Sequence, residues 1–368
     1  MGLLRHPRSA RSDQQPFVSI VVAARNEEAY IGACIASLSD QTYPADRYEI
    51  IVVDDNSTDS TRDVIKQFAG VRCLAPSPTF AAFSAKKRPM ATGIDAALGD
   101  IIMTTDADCT APITWVESIV SSFGGDTDVV VGYSKIAPIS DNLVHRFQSF
   151  DFFALLSAAA GAIWIGRVWA ATGQNLAYRR RIFDRVGGFS TISDRPSGDD
   201  VLLLQLFRRA GAVVSFCAEA GGHITTWRSE TLLGLTNQRR RWASNAQLQL
   251  KLNPAFFAYV VSVFSVAALP VAALILQGSY FWLFAIVYGL RLPIDGAVVW
   301  LGRSRINSTE SLAFFPVWML CQVPYVLIVG IGGTLLGFKW KGRVHTHTPT
   351  ASHTHLENNQ PGAHHVTM

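Results

Sequence analysis

Ile50-Ile51-Val52-Val53-Asp54-Asp55-Asn56-Ser57-Thr58-Asp59 is the stretch that decides the fold. Four apolar, mostly β-branched residues end in two acids, and residues of the N-cap type follow. Val64, Ile65 and Phe68 then recur on one helical face. The same strand-then-helix figure precedes it, where Phe17–Ala23 leads through Arg25-Asn26-Glu27-Glu28 to Ile31, Ile35 and Leu38. It also follows, where Ile101–Thr105 ends in Asp106-Ala107-Asp108. Alternation of this kind predicts an α/β sheet of parallel strands, with ligands beyond the carboxyl ends of those strands. The acid pairs all fall at such ends.

The chain has 368 residues, of which 49% are hydrophobic and only 16% charged; soluble domains carry about 25% charged residues. That balance excludes a disordered or acidic-tail protein. The deficit is concentrated after residue 253. Pro254–Leu276, Tyr280–Leu301 and Leu312–Phe338 are each long and apolar enough to cross roughly 30 Å of hydrocarbon. Arg303 and Arg305 follow the second and Lys339, Lys341 and Arg343 the third, so both ends favour the cytosol. One segment is then expected to be re-entrant or interfacial, and the third carries the Pro and Gly residues for it. Phe150–Ala171 is also apolar, but Asp151 and Arg167 inside its ends point to a buried or interfacial helix. Arg291 and Asp295, four apart within the second span, are either a functional pair or a structural one.

The expected organisation is therefore a disordered basic N-terminus over 1–16, a catalytic domain over 17–250 and a membrane domain of two to three helices over 254–338. A disordered His-rich tail over 344–368 completes it. Residues 1–16 lack the apolar core of a signal peptide, which predicts a cytosolic catalytic domain on a multi-pass protein of the cell membrane. The net charge of +4 is mild, and no basic stripe interleaved with aromatics suggests nucleic acid. Basic clusters at 179–181, 239–241, 303–305 and 339–343 suit an anionic leaflet or a diphosphate. Five scattered cysteines without a CxxC fit neither a disulfide framework nor a zinc site.

Asp106 and Asp108, one residue apart at a strand end, can hold a hard divalent cation and through it a diphosphate. Asp54-Asp55 suit the sugar or base of a nucleotide, and Lys86-Lys87-Arg88 set cations ahead of a helix. Gly198-Asp199-Asp200 opens an apolar helix, and Gln238-Arg239-Arg240-Arg241-Trp242 closes the soluble part.

In this order the motifs resemble the inverting glycosyltransferases of family 2. The family's Asn-Glu pair, Asp pair, DxD, later Asp of the ED type and QxxRW match Asn26-Glu27, Asp54-Asp55, Asp106/Asp108, Asp199-Asp200 and Gln238/Arg241/Trp242. QxxRW occurs in processive cellulose- and hyaluronan-type synthases and, in related form, in ceramide-glucosyltransferase-like enzymes. Ala23-Ala24-Arg25 stands where a Pro commonly precedes Asn-Glu, and Gly198-Asp199-Asp200 replaces Glu-Asp.

The resemblance implies a nucleotide-diphospho-sugar transferase domain of the GT-A, Rossmann-like type followed by C-terminal transmembrane helices. It implies donor binding by Asn26, Glu27, Asp54, Asp55, Lys86 and Asp106, and a Mg2+ or Mn2+ ion on Asp106 and Asp108. Asp200 is the implied general base, with Asp199 the fallback, and Gln238, Arg241 and Trp242 meet the acceptor or the diphosphate. The expected partners are a nucleotide-sugar donor, a lipid acceptor and the membrane, with no nucleic acid. The expected reaction moves one sugar from a UDP-linked donor to a lipid-like acceptor. Its rivals are a processive polysaccharide synthase, for which about three spans are few, and a catalytically inactive membrane-anchored nucleotide-sugar-binding protein.

Overall fold

The computed structural model describes residues 1–4, 15–227, 231–275, 281–335, 338–340 and 343–345. Most of the expected basic N-terminus and His-rich tail lies outside these. Gly2–Leu4, however, form a 3-10 turn with Leu3 buried, and Phe338–Trp340 pairs antiparallel with Arg343–His345.

In chain order the strands are β1 Val18–Ala24, β2 Tyr48–Asp54, β3 Val71–Leu74, β4 Ile101–Asp106 and β5 Cys109–Thr110. They continue as β6 Thr127–Gly132, β7 Ser134–Ile136, β8 Leu176–Arg179, β9 Val213–Cys217 and β10 Ile224–Thr226. The helices of the first half are α1 Ile31–Ser39, α2 Thr61–Ile65, α3 Lys87–Ala96, α4 Trp115–Ser121 and α5 Leu143–Ile163. After β8 come α6 Arg180–Arg185, α7 Val201–Arg209, α8 Leu232–Ala243, α9 Ala246–Leu252, α10 Pro254–Ile275, α11 Phe281–Arg305 and α12 Phe315–Leu335.

Seven strands form one sheet in the order β3-β2-β1-β4-β8-β6-β9. β3, β2, β1 and β4 are parallel, as the alternation predicts. β8 corrects the expectation of a parallel sheet: it runs antiparallel to both β4 and β6. The reason is its connection, since the chain leaves the sheet after β6, passes through α5 and re-enters at the end it left, where Leu176 pairs with Val131. β5, β10 and β7 make a second, three-stranded sheet beside the cleft.

Val21, Ile51, Val53 and Ile102 turn one face of the large sheet toward α3 and α5, and Ile20, Val22, Val52 and Met103 turn the other toward α1 and α4. Both faces are covered, so these strands read as continuous apolar runs. At Gly93 the fit is so close that a Cβ would stand 2.4 Å from Val21 Cγ1.

The apolar stretch beginning at Phe150 belongs to α5, which starts earlier, at Leu143, and ends at Ile163; most of its residues are buried. α11 crosses it where a Cβ on Gly302 would stand 2.3 Å from Ser157 Oγ. α12 runs unbroken from Phe315 to Leu335, with Pro324 inside it. Its glycines are packing sites: Gly330 faces Phe264 of α10, while Gly332 and Gly333 face Arg240 and Ala243 of α8. Among the described residues, two helical segments are long and apolar enough to cross a membrane, Ala285–Arg305 and Leu312–Gly333; Pro254–Leu269 is a shorter apolar stretch. Arg291 and Asp295 form an ion pair at 3.0 Å on α11.

Candidate active site

The carboxyl ends of β1 and β4 open into a cleft of about 620 Å3. Its polar wall carries Glu27, Asp55, Lys86, Asp106, Asp108, Asp199 and Asp200; α8 adds Gln238, Arg241 and Trp242. Ten of the expected site residues thus share one cavity.

The loops after β1 and β2 are laced together. Asn26 and Asn56 sit in the left-handed region, at φ 53° and 54°, which Asn tolerates better than most residues. The Asn26 carboxamide oxygen accepts from Thr58 N at 2.8 Å, and Glu27 N donates to Thr61 Oγ1 at 2.7 Å. Asp54 is buried and its Oδ1 accepts from Ser57 N at 3.2 Å. Asn26 and Asp54 do not line the cleft. They shape the loops, while Asp55 faces the cavity and pairs with Arg25 at 3.4 Å. Arg25 is a wall residue that the motifs do not name; its position one residue beyond β1 is the available signal.

Asp106 ends β4, and Asp108 follows two residues later. Oxygens of both and the Cys109 sulfur lie within 4.8 Å of one another. Two carboxylates at that spacing fit a hard divalent cation. The thiol does not belong to that set, because Cys109 is buried and its sulfur lies 3.7 Å from Asp108 Oδ1, as a hydrogen-bond donor.

Lys86 donates to Asp106 and stands 3.4 Å from Asp199 Oδ2. Burial alone would lower its affinity for a proton, but Asp106 first, then Asp199 and Asp200, outweigh burial and keep the ammonium charged. Lys87, next in sequence, points the other way. It is buried, donates to the carbonyls of Arg195 (2.6 Å) and Ser197 (3.0 Å), and burial pushes its pKa down to about 8. Those carbonyls lead into Gly198, whose φ of 85° suits glycine and delivers Asp199 and Asp200 to the cleft.

The two acids differ. Burial raises the proton affinity of Asp199, yet Lys86 and then Lys87 outweigh it and hold the carboxyl below its ordinary range. Asp200 is pushed up by burial and next by the charge of Asp199, against the bonds it accepts from Val201 N (2.6 Å) and Gly173 N (2.9 Å). It therefore caps α7, as its place before an apolar helix suggests, and also lines the cleft. Of the pair, Asp200 is the better proton acceptor.

Arg239, in a basic cluster suited by sequence to an anionic leaflet or a diphosphate, is instead buried: its guanidinium pairs with Asp151 at 2.9 Å and lies 4.2 Å from the Trp242 ring centroid. Gln238 accepts from Gln148 Nε2 at 3.4 Å. Leu155 and Leu156 of α5 and Phe256 and Val260 of α10 add apolar surface to the cleft lining.

A half-parallel sheet with acids at its strand ends, and a DxD over the cleft, defines the GT-A class of nucleotide-sugar transferase folds. Residues 19–187 match the model of glycosyl transferase family 2. A solved mannosyltransferase from Pyrobaculum calidifontis, in complex with GDP-Man and Mn2+, shares the fold with a TM-score of 0.61. It is 16% identical, over 90% of this chain and 91% of its own. A probable glycosyltransferase of Bacillus subtilis, YdaM, is 30% identical over 66% of this chain and 58% of its own length. Glycosyltransferase AglE of Haloferax volcanii is 28% identical over 56% of this chain, which spans 66% of that relative. The beta-monoglucosyldiacylglycerol synthase of Synechocystis is 26% identical over 88% of this chain and 70% of its own length. The chain thus covers less than two thirds of the Bacillus and Haloferax relatives.

Proposed function

We propose that this protein transfers one sugar, with inversion, from a nucleotide-sugar donor (UDP-linked in our reading) to the hydroxyl of a lipid acceptor at the membrane surface. The observation that carries the reading is the mixed lining of the cleft. It combines carboxylates and Lys86 with the apolar side chains of Leu155, Leu156, Phe256 and Val260. A sugar nucleotide needs the first and a lipid the second. The later apolar helices α11 and α12 expose Leu290, Ile294, Trp300 and Leu320, at 60% or more of their surface. A belt of that kind marks a membrane contact in preference to water. The Synechocystis relative, matched over most of this chain, is by name a glycolipid synthase.

In this reading Glu27 and Asp55 face the nucleoside, and Lys86 and Arg241 the diphosphate. Asp106 and Asp108 would hold Mg2+ or Mn2+, which when bound neutralises charge on the departing diphosphate. Arg241 adds a planar fork that matches phosphate oxygens. Asp200 takes the proton of the acceptor hydroxyl as its oxygen attacks the anomeric carbon. The new C–O bond forms as the bond from that carbon to the diphosphate oxygen breaks. The catalytic domain faces the cytosol, and the C-terminal helices anchor it.

The test is to reconstitute the protein in lipid nanodiscs and offer a panel of nucleotide sugars with a host lipid extract. The expected product is a lipid one sugar heavier, with inverted anomeric configuration. A ladder of polymer lengths would favour a processive synthase; donor binding without any product would favour an inactive binding protein.

A further inference from the structure

Asp151 lies outside the cleft, on α5, and four donors converge on its carboxylate. Arg239 Nη2 stands 2.9 Å away, Tyr325 Oη 3.0 Å, Gln322 Nε2 3.1 Å and Trp318 Nε1 3.3 Å. The Asp151 and Arg239 side chains are only 9% and 4% exposed. An ionised carboxylate offers about four acceptor positions, so Asp151 is saturated by protein groups and has no room for a ligand. Three of its donors are spaced along one face of α12, at 318, 322 and 325. The fourth comes from α8, whose next residues form the cleft wall.

The Arg239 guanidinium has two neighbours. It meets Asp151 at 2.9 Å and lies over the Trp242 ring, 4.2 Å from its centroid. Trp242 lines the cleft together with Gln238 and Arg241 from the same helix. A buried cation stacked on an aromatic face restrains that ring more firmly than apolar contact alone. Phe152, the neighbour of Asp151 on α5, closes from another side at 6.2 Å between centroids. The chain of contact therefore runs from α12 through Asp151 and Arg239 to Trp242.

We propose that Asp151 is a positioning residue for the acceptor side of the cleft. By fixing Arg239 it fixes Trp242, and it links the shape of the acceptor wall to the seating of α12. A simple structural staple would cost stability when removed and leave the kinetics of the folded molecules unchanged. A positioning residue changes acceptor recognition more than donor binding, for which Glu27, Asp55, Lys86, Asp106 and Asp108 stand on other elements. The identity of the ligand that meets Trp242 rests on the function proposed above.

The test uses the full chain in nanodiscs. Asp151→Asn leaves Arg239 buried without its counter-charge and can fail to fold. The double variant Asp151→Leu/Arg239→Met removes both charges together and keeps the site packed, and Tyr325→Phe removes one donor alone. Acceptor KM and kcat, donor affinity by calorimetry, and amide hydrogen exchange over 232–243 are compared with the wild type. In the double variant acceptor KM is expected to rise on the order of tenfold to a hundredfold, as for a displaced positioning group. Donor affinity is expected to fall by far less than acceptor KM rises, because Arg241 is the α8 residue that faces the diphosphate in this reading, and exchange at Gln238–Ala243 is expected to accelerate while β1–β4 stay protected. Tyr325→Phe is expected to move acceptor KM in the same direction by less. A folded double variant with wild-type acceptor KM, or with wild-type exchange in α8, overturns the proposal; so does a loss of donor affinity as large as the rise in acceptor KM. If the wild type transfers no sugar to lipid, the function proposed above fails, and the exchange comparison still decides the role of Asp151.

Discussion

Lys86 stands 3.4 Å from Asp199 while donating to Asp106, so one ammonium bridges the acid at the end of β4 and the acid ahead of α7. It is the main force holding Asp199 ionised against burial. Lys86→Met would leave Asp106, Asp199 and Asp200 facing one another without that cation. A charged buried hydrogen bond is worth roughly 1.5–3 kcal/mol, so donor affinity at neutral pH is expected to fall by about tenfold or more. Calorimetry with the nucleoside diphosphate checks it; unchanged affinity would remove Lys86 from the donor site.

The acids at 106 and 108 repel a diphosphate unless a cation stands between them. EDTA is expected to abolish transfer, and Mn2+ or Mg2+ to restore it. Asp108→Ala is expected to lose donor binding together with rate, and to respond little to added metal. Full turnover in EDTA would end the assignment of a metal to this pair.

Asp200 and Asp199 separate in a pH profile. A general base is typically worth about 10²–10⁴-fold, so Asp200→Asn should lose transfer by that order and bind donor nearly as before. Asn also caps helices well, so a pure capping role would leave Asp200→Asn active. Asp199 is the charge that, after burial, raises Asp200. Replacing it by Asn should lower the pKa of Asp200, and the acid limb of the rate profile should move to lower pH. A limb that stays in place would exclude Asp200 as its source.

His223 offers a stability test away from the cleft. It is buried edge-on to Tyr133, 4.8 Å between centroids, and burial brings its pKa down to about 4 from 6.5. Between those values the unfolded chain binds a proton that the folded chain refuses, so stability is full above about pH 6.5 and declines as pH falls toward 4. The difference corresponds to about 3 kcal/mol at most. His223→Phe, which cannot titrate, should flatten that part of the decline. Parallel melting curves of the two proteins from pH 7.5 to 4.5 would show it, and identical slopes would contradict it.

Several parts of the site are legible in one dimension because they are local. Apolar runs ending in Asp54-Asp55 and Asp106-Ala107-Asp108 fix both the strands and the edge where their acids emerge. The inward turn of Asp54 is less legible, because it depends on a loop hydrogen bond to Ser57, and nothing in the pair of acids says which faces the cleft. Arg239 is harder still. Its counter-charge, Asp151, lies 88 residues earlier on another helix, and no periodicity within the Arg run reveals a partner at that distance. The antiparallel β8 is hidden for the same reason: Leu176–Arg179 is a short apolar strand whose direction is set by the path of α5 before it.

The strand order has a consequence for the timing of assembly. β1 to β4 lie within residues 18–106 and pair with one another, so the half that carries Asp55, Asp106 and Asp108 is complete in sequence early during synthesis. β8 and β9, which finish the sheet, arrive much later, and α8 docks on α12 near the far end of the chain. Contacts between distant segments form slowly, and large chains build unit by unit from the N-terminal side. Newly made chains would therefore be able to hold a nucleotide before they have a wall for the acceptor. Seating of that wall waits on the last helix, on which α8 docks, so a ribosome stalled before α12 would present a donor pocket beside an acceptor wall that is made but not yet held in place.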